Sequence, residues 1–292
     1  MFPVSFGLGD LVVSLPAVQA LIAKHDSVWL VARAPSQEML AERIEGLAGV
    51  VAEEALVTGP GDRLFDLRDH PIQRDFWWGS AAFEAAYGSL DINEILGRIC
   101  DDFGIEADFG SPTPLLAHPP RELEGTILLV HETDVADKRW SADRWEIVAS
   151  TLRAEGHRVA CVTRGDGPSP LGALGIRAVV APTPGDAVDA LTSCSGVIGI
   201  DTGLTHIAVQ QGTPTVTVCR RSSVYFRRWP HCRVLRGGPC TDACIAAEAR
   251  YAYHHRVSLR GFSPPARSCP SGSPCLEDAR PEEAVVLLRE LL

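Results

Sequence analysis

Apolar positions along this chain come in two kinds of segment that alternate, continuous short runs and stretches with helical spacing. Residues 3–6 form a short apolar run that meets Gly7-Leu8-Gly9-Asp10. Beyond it Leu11, Leu15, Val18, Leu21 and Ile22 recur on one helical face. Residues 28–31 (VWLV) are a continuous apolar run of the kind that a parallel sheet buries on both faces. A helix is predicted over 37–47, with short strands near 49–53 and 64–67. From Asp69 to Gly110 the pattern is mostly helical, with Phe76, Trp77, Trp78, Phe83 and Tyr87 gathered in its first half.

Proline then breaks the pattern twice, at Ser111-Pro112-Thr113-Pro114 and at His118-Pro119-Pro120-Arg121, which reads as a linker. The alternation restarts with a strand at 126–130 and a helix at 142–155 that closes on Gly156. Strands are predicted at 158–163, 178–181, 196–200 and 214–219, with helices near 187–193 and after Asp201-Thr202-Gly203. Residues 281–292 form an amphipathic helix. Strands and helices alternating at this spacing imply parallel sheets, so the fold class is α/β with two units, 1–122 and 123–280.

Composition narrows the function. With 292 residues, 46% hydrophobic and 22% charged, the chain is of globular type and long enough for two modest cores. Its net charge of -10 and pI of about 5.4 argue against nucleic acid as the main partner, because phosphate backbones call for a dense basic face. No stretch has the roughly 20 clean apolar residues of a membrane span. Residues 1–23 lack the basic start of a secretory signal, so the cytoplasm is the expected compartment and the nine cysteines are expected to be thiols, core residues or metal ligands. Among 27 basic residues only two are lysines, Lys24 and Lys138.

Three strand-to-helix turns carry chemistry-bearing side chains. In the first, glycines allow a sharp turn where α/β sheets place their ligands, and Asp10 sits there either as a general base or as a helix-capping group. The second is His131-Glu132-Thr133-Asp134-Val135-Ala136-Asp137-Lys138-Arg139-Trp140, in which Lys138 offers a point charge and Thr133 a hydroxyl to a diphosphate. Its alternative is a solvated loop anchored by Trp140. In the third, Gly199-Ile200-Asp201-Thr202-Gly203-Leu204-Thr205-His206, the free N–H groups of a helix start suit an anion and Asp201 suits sugar hydroxyls.

The stretches GLGDLVVSLPAVQAL, DKRWSADRWEIVASTLRAEGHRV, IGIDTGLTHIAVQQGTPTVTV and CPSGSPCLEDARPEEAVVLL occur in the order found in glycosyltransferase family 9, the ADP-heptose:lipopolysaccharide heptosyltransferases, and the chain resembles that family over nearly its whole length. The resemblance implies the GT-B architecture, two Rossmann-like domains with parallel sheets facing across a cleft. The acceptor would lie on 1–122 and the nucleotide sugar on 123–280, with the final helix 281–292 crossing back onto the first domain. It implies inverting, metal-independent transfer of a heptose or related sugar from ADP-heptose to an acceptor hydroxyl. Asp10 would be the catalytic base, with Thr133, Lys138, Asp201, Thr202, Gly203 and His206 on the donor. The acceptor would be a lipopolysaccharide core sugar, a protein or a small molecule, with peripheral membrane contact if it is lipid-linked. The half before residue 122 is short for the family.

Two further features remain open at this level. Trp77 and Trp78 are candidates to stack on an acceptor sugar or to fill the core. Cys240, Cys244, Cys269 and Cys275 are candidates for a structural zinc or iron site, as in the iron-holding autotransporter relatives of the family, or for unligated thiols. Two other functions compete with transfer: a GT-B nucleotide-sugar epimerase, and a non-catalytic sugar-nucleotide-binding or interaction module.

Overall fold

A computed structural model describes the chain apart from residues 6, 77–80, 166, 168, 221–225, 228, 251–268, 270, 271 and 273. The first half opens with α1 (Leu8–Lys24), followed by β1 (Trp29–Ala32), α2 (Pro35–Ala41) and β2 (Gly49–Ala52). After these come α3 (Pro71–Arg74), α4 (Ala81–Tyr87) and α5 (Ile92–Asp102). The second half comprises β3 (Thr126–Val130), α6 (Ala142–Ala154), β4 (Arg158–Thr163), β5 (Arg177–Val180), α7 (Pro184–Ser193), β6 (Gly196–Ile200) and α8 (Gly203–Gln210). Then come β7 (Thr215–Cys219), β8 (Cys232–Arg236), α9 (Asp242–Arg250) and α10 (Pro281–Arg289).

All six strands of the larger sheet are parallel, in the order β5-β4-β3-β6-β7-β8. This doubly wound order reverses direction between β3 and β6, and ligands of such sheets bind outside the strand ends at that switch point. The central strands TILLV, GVIGI and TVTVC are buried at every position because helices cover both faces. Side chains alternate between the faces. Ile127 and Leu129 join a core with Trp145, Val148 and Leu152 of α6, while Leu128 and Val130 join one with α7 and the first half of the chain.

The first half has a rudimentary sheet. β1 and β2 pair in parallel, and Phe2 forms a parallel bridge to Asp66 beside them. The strands expected at 3–6 and 64–67 therefore reduce to this one bridge, supported by Phe2 N–H donating to the Phe65 carbonyl (2.8 Å). The helix expected over 37–47 ends at Ala41; the chain turns there and Gly46 takes φ +79°. The Gly156 stop is present, at φ +89° with His157 N–H reaching back to the Leu152 carbonyl. β8 and α9 had no counterpart among the expected elements.

One expectation is corrected. The final helix does not return to the first half: α10 packs on α6 and lies over β6, β7 and β8. Ala284, Val285 and Leu288 complete the core around Ile127 and Leu129, and Arg289 pairs with Glu155 at the end of α6. The buried stripe of the helix closes the open face of the larger sheet.

Other groups join the two halves. The proline-rich connection is pinned on both sides: Arg43 of the first half donates to the Leu116 carbonyl (3.1 Å), while in the second half Gln211 receives Leu115 N–H on Oε1 (2.7 Å) and donates to the Leu115 carbonyl (3.2 Å), and Gln210 donates to the Thr113 carbonyl (3.0 Å). Arg43 grips Asp189 with two parallel bonds of 2.9 Å, the bidentate geometry that favours arginine over lysine. Helices α1 and α8 lie against each other along this boundary.

Candidate active site

The site follows from how closely α1 and α8 meet. Both begin just past a strand-like segment, and their N-termini are brought together by glycines. A Cβ on Gly9 would fall 2.8 Å from His206 Cδ2, and one on Gly203 would fall 2.8 Å from Leu8 Cβ. Any side chain would push the helices apart. Two helix N-termini thus share one space, each carrying unpaired N–H groups and a partial positive charge.

Asp10 sits in the first turn of α1 and accepts Gly7 N–H on Oδ2 (2.8 Å). Capping does not exhaust it, because a carboxylate has two oxygens and several lone pairs, of which the Ser5 side chain takes one more. Burial raises its pKa from 3.8 to about 6, helped by the nearby Asp201 charge and opposed by the Gly7 bond and by Lys138. A carboxylate poised there is still ionised at neutral pH and is a better proton acceptor than a solvated one.

On the far side of the space, Lys138 Nζ lies 2.7 Å from Asp201 Oδ2. Lys138 ends the short turn after β3, and Asp201 follows β6, so the pair spans the switch point. Burial, the largest influence, would raise the Asp201 pKa, but Lys138, His206 and Arg220 together outweigh it and hold the carboxyl below its ordinary 3.8. Thr202 caps α8, its hydroxyl accepting Leu204 N–H (3.2 Å). His206 Nε2 lies 3.9 Å from Asp201 Oδ1, and its ring stacks flat on Phe226, centroids 4.1 Å apart at 2°. Burial lowers the His206 pKa to about 4, so the ring is neutral at physiological pH.

Asp10, Lys138, Asp201, Thr202, Gly203 and His206 are therefore gathered around the meeting of α1, α8 and the turn after β3. Thr133 lies to one side. Its hydroxyl accepts Val135 N–H (3.1 Å), and the side chain lines a neighbouring cavity of about 330 Å³ with His131, Glu132, Arg139, Trp140 and Arg164. Trp77 and Trp78 lie outside the described residues. Cys240, Cys244, Cys269 and Cys275 are partly buried thiols, and no group of three or more metal-ligating side chains occurs among the described residues.

Three neighbours were not singled out in the sequence. Arg220 follows β7, Phe226 supports His206, and Arg227 is almost wholly buried with its guanidinium donating to the Val13 carbonyl (2.5 Å) and Asn93 Oδ1 (3.2 Å). The stretch CRRSSVYFRRW, dense in arginine directly after an apolar strand, was the available signal.

A doubly wound parallel sheet, a smaller α/β half set against it and polar turns collected over the switch point define the class: this is the α/β fold of GT-B glycosyltransferases. Within that class the chain resembles glycosyltransferase family 9 (heptosyltransferase), whose sequence profile matches residues 180–232, from the end of β5 to the start of β8. No curated protein matches the chain. Among solved structures, a family 9 glycosyltransferase from Veillonella parvula superposes with a TM-score of 0.64 at 15% identity, over 99% of this chain and 96% of that one. The iron-containing dodecameric glycosyltransferase TibC from enterotoxigenic E. coli gives 0.64 at 17% identity, over 99% and 74%. E. coli heptosyltransferase WaaC with ADP-2-deoxy-2-fluoro heptose gives 0.55 at 13%, over 81% and 92%. No helix among the described residues is long and apolar enough to cross a membrane.

Proposed function

We propose that the protein is a cytoplasmic family 9 glycosyltransferase that moves a heptose or related sugar from an ADP-sugar to an acceptor hydroxyl with inversion. In this reading residues 1–122 receive the acceptor and 123–280 hold the donor. Asp10 takes the hydroxyl proton as the acceptor oxygen attacks the anomeric carbon. The bond to the diphosphate breaks on the opposite face. Lys138 and the α8 N-terminus stabilise the departing charge, so the scheme asks no metal ion to do so. Asp201, Thr202, Gly203 and neutral His206 orient the sugar and phosphates, with Thr133 at the edge of the same loop.

The observation that carries the reading is the placement of one carboxylate with a raised pKa opposite one lysine at a sheet switch point, between two helix N-termini. A nucleotide-binding module would need the lysine and not the carboxylate. Neighbours of this fold include an E. coli heptosyltransferase solved with ADP and a TibC complex with ADP-D-beta-D-heptose, which supports an ADP-sugar as donor.

Calorimetric titration with ADP, UDP, GDP and ADP-heptose, beside a Lys138→Ala variant, tests it. Binding of ADP species that falls at least tenfold in the variant is expected from loss of a charged contact. A preference for UDP or GDP would overturn the heptose donor while keeping the chemistry. No binding of any of the four would overturn the donor site.

A further inference from the structure

We propose that Arg220 is a second cationic ligand of the donor diphosphate, working beside Lys138 and making the site prefer a diphosphate over a monophosphate. The inference rests on the donor site described under the proposed function and adds to it a residue that lies outside the motifs read from the sequence.

Topology is the first argument. β3, β6 and β7 are adjacent parallel strands, paired through Val130↔Gly199 and Ile200↔Val218. The residues that follow them therefore emerge side by side along one edge: the turn ending in Lys138, then Asp201, then Arg220. The order of the sheet makes Arg220 a neighbour of the switch point, although it is distant from Lys138 in sequence.

Distances give the second argument. Arg220 Nη1 lies 3.8 Å from Asp137 Oδ2, and Asp137 is the residue before Lys138. Lys138 in turn meets Asp201 at 2.7 Å, and Arg220 is among the cations that hold the Asp201 carboxyl in its charged form. The four side chains make one cluster of two cations and two carboxylates. The Lys138 and Arg220 side chains keep 22% and 21% of their surface exposed, open enough to meet a ligand and sheltered enough for screening to be weak.

Charge gives the third. Lys138 is already matched by Asp201, so one lysine leaves little net positive charge for a diphosphate. Arg220 has Asp137 beside it as Lys138 has Asp201, so the four groups sum to about zero, and what the guanidinium brings to a diphosphate is a planar fork that suits two phosphate oxygens at once. Arg220 also braces the scaffold. Asp137 Oδ2 accepts Cys269 N–H (2.6 Å), so the arginine sits beside the contact that ties the late cysteine segment to the turn after β3. The test has to separate ligand binding from bracing.

The nucleoside diphosphate that the wild type binds best among ADP, UDP and GDP, and its matching monophosphate, are titrated into wild type, Arg220→Gln and Arg220→Lys. Arg220→Gln is expected to weaken the diphosphate by roughly tenfold or more, as for loss of a charge-assisted contact, and the monophosphate by no more than about twofold. Arg220→Lys recovers part of the loss by returning the charge without the fork. Retained monophosphate binding shows that the variants are folded. Equal weakening of both nucleotides would assign Arg220 to the scaffold and overturn the inference, as would no change in either. If the wild type binds the diphosphate and Lys138→Ala abolishes the difference but Arg220→Gln does not, the inference falls while the donor site stands. If the wild type binds none of them, the donor reading falls and takes this one with it.

Discussion

Replacing Asp10 by asparagine tests the assigned base in a way that sets stability against activity. The side chain keeps its shape, and its amide oxygen can still accept Gly7 N–H, so the cap survives. What is lost is a charge held in a partly buried place. A pKa raised from 3.8 to about 6 corresponds to about 3 kcal/mol at ~1.4 kcal/mol per tenfold change in proton affinity. That figure is an upper limit, because the carboxylate keeps some contact with solvent. The sign follows from the direction of the shift. Folding raises the pKa, so Asp10 contributes stability in full below pH 3.8 and loses it as pH rises through about 6. The wild type carries this penalty at pH 7.5 and the asparagine variant does not. Urea denaturation should therefore find the variant more stable by about 1–3 kcal/mol at pH 7.5, with the gap narrowing at pH 5 and closing near pH 4. Sugar transfer should fall by roughly 10²–10⁴, as for loss of a general base, with nucleotide affinity nearly unchanged. A variant less stable than wild type at pH 7.5, or a gap of equal size at pH 5 and 7.5, would refute the electrostatic argument. Unimpaired transfer would refute the role.

Three other outcomes follow from the same geometry. Gly9→Ala places a methyl 2.8 Å from His206 Cδ2 and is expected to cost about 1–3 kcal/mol, read as a lower Tm, together with transfer activity; an unchanged Tm would mean that the helices are not closely keyed. Titration of the His206 ring followed by NMR should show no protonation between pH 5.5 and 8, since burial lowers its pKa to about 4, and its share of stability should be lost as pH falls from 6.5 through 4; a midpoint near 6.5 would contradict the buried ring. Arg227→Met removes charged donors from the Val13 carbonyl and Asn93 and is expected to lower stability by about 1–3 kcal/mol in urea denaturation; level stability would show that freeing the fold of a buried cation offsets the lost bonds.

The larger sheet was legible because its strands are continuous apolar runs between glycine and proline breaks, and a strand buried on both faces has no other pattern available. The three polar turns were legible because glycine, aspartate and threonine at a helix start have few structural substitutes. The first half read less well. Among the described residues its sheet is two strands and a bridge, so Val4, Phe65 and Leu67 are buried by packing with no more pairing than that bridge. β8, CRVLR, alternates weakly and lies at an edge, where polar residues are tolerated. The destination of α10 was beyond a local pattern: its stripe shows that one face is buried and says nothing about which sheet buries it. Arg220 and Arg227 were missed for a related reason. A run of arginines reads as a solvated surface until the strand order places Arg220 beside the turn of Lys138 and the Arg227 guanidinium is found on the Val13 carbonyl of α1.

Arg227 also shows how the two halves are held in register. Pro16 inside α1 removes the N–H that would reach the Val12 carbonyl, leaving that turn of the helix less tightly bonded. The guanidinium binds at the next carbonyl, on Val13, while Trp229 two residues on donates to the Phe109 carbonyl (3.2 Å). Phe226, one residue before, lies flat on His206. One short segment of the second half therefore grips the first half with Arg227 and Trp229 and stacks on His206 with Phe226. The core around Leu128 and Val130 is shared with Leu11, Leu15 and Val18 of α1, so no independent core separates the halves here. The spacing between Asp10 and the Lys138–Asp201 pair is then set by packing: by the absence of side chains at Gly9 and Gly203, and by a buried arginine that touches neither. Substitutions along that boundary should change turnover without contacting a substrate atom, because a displacement of about 1 Å at reacting groups is enough to cost roughly 10²-fold.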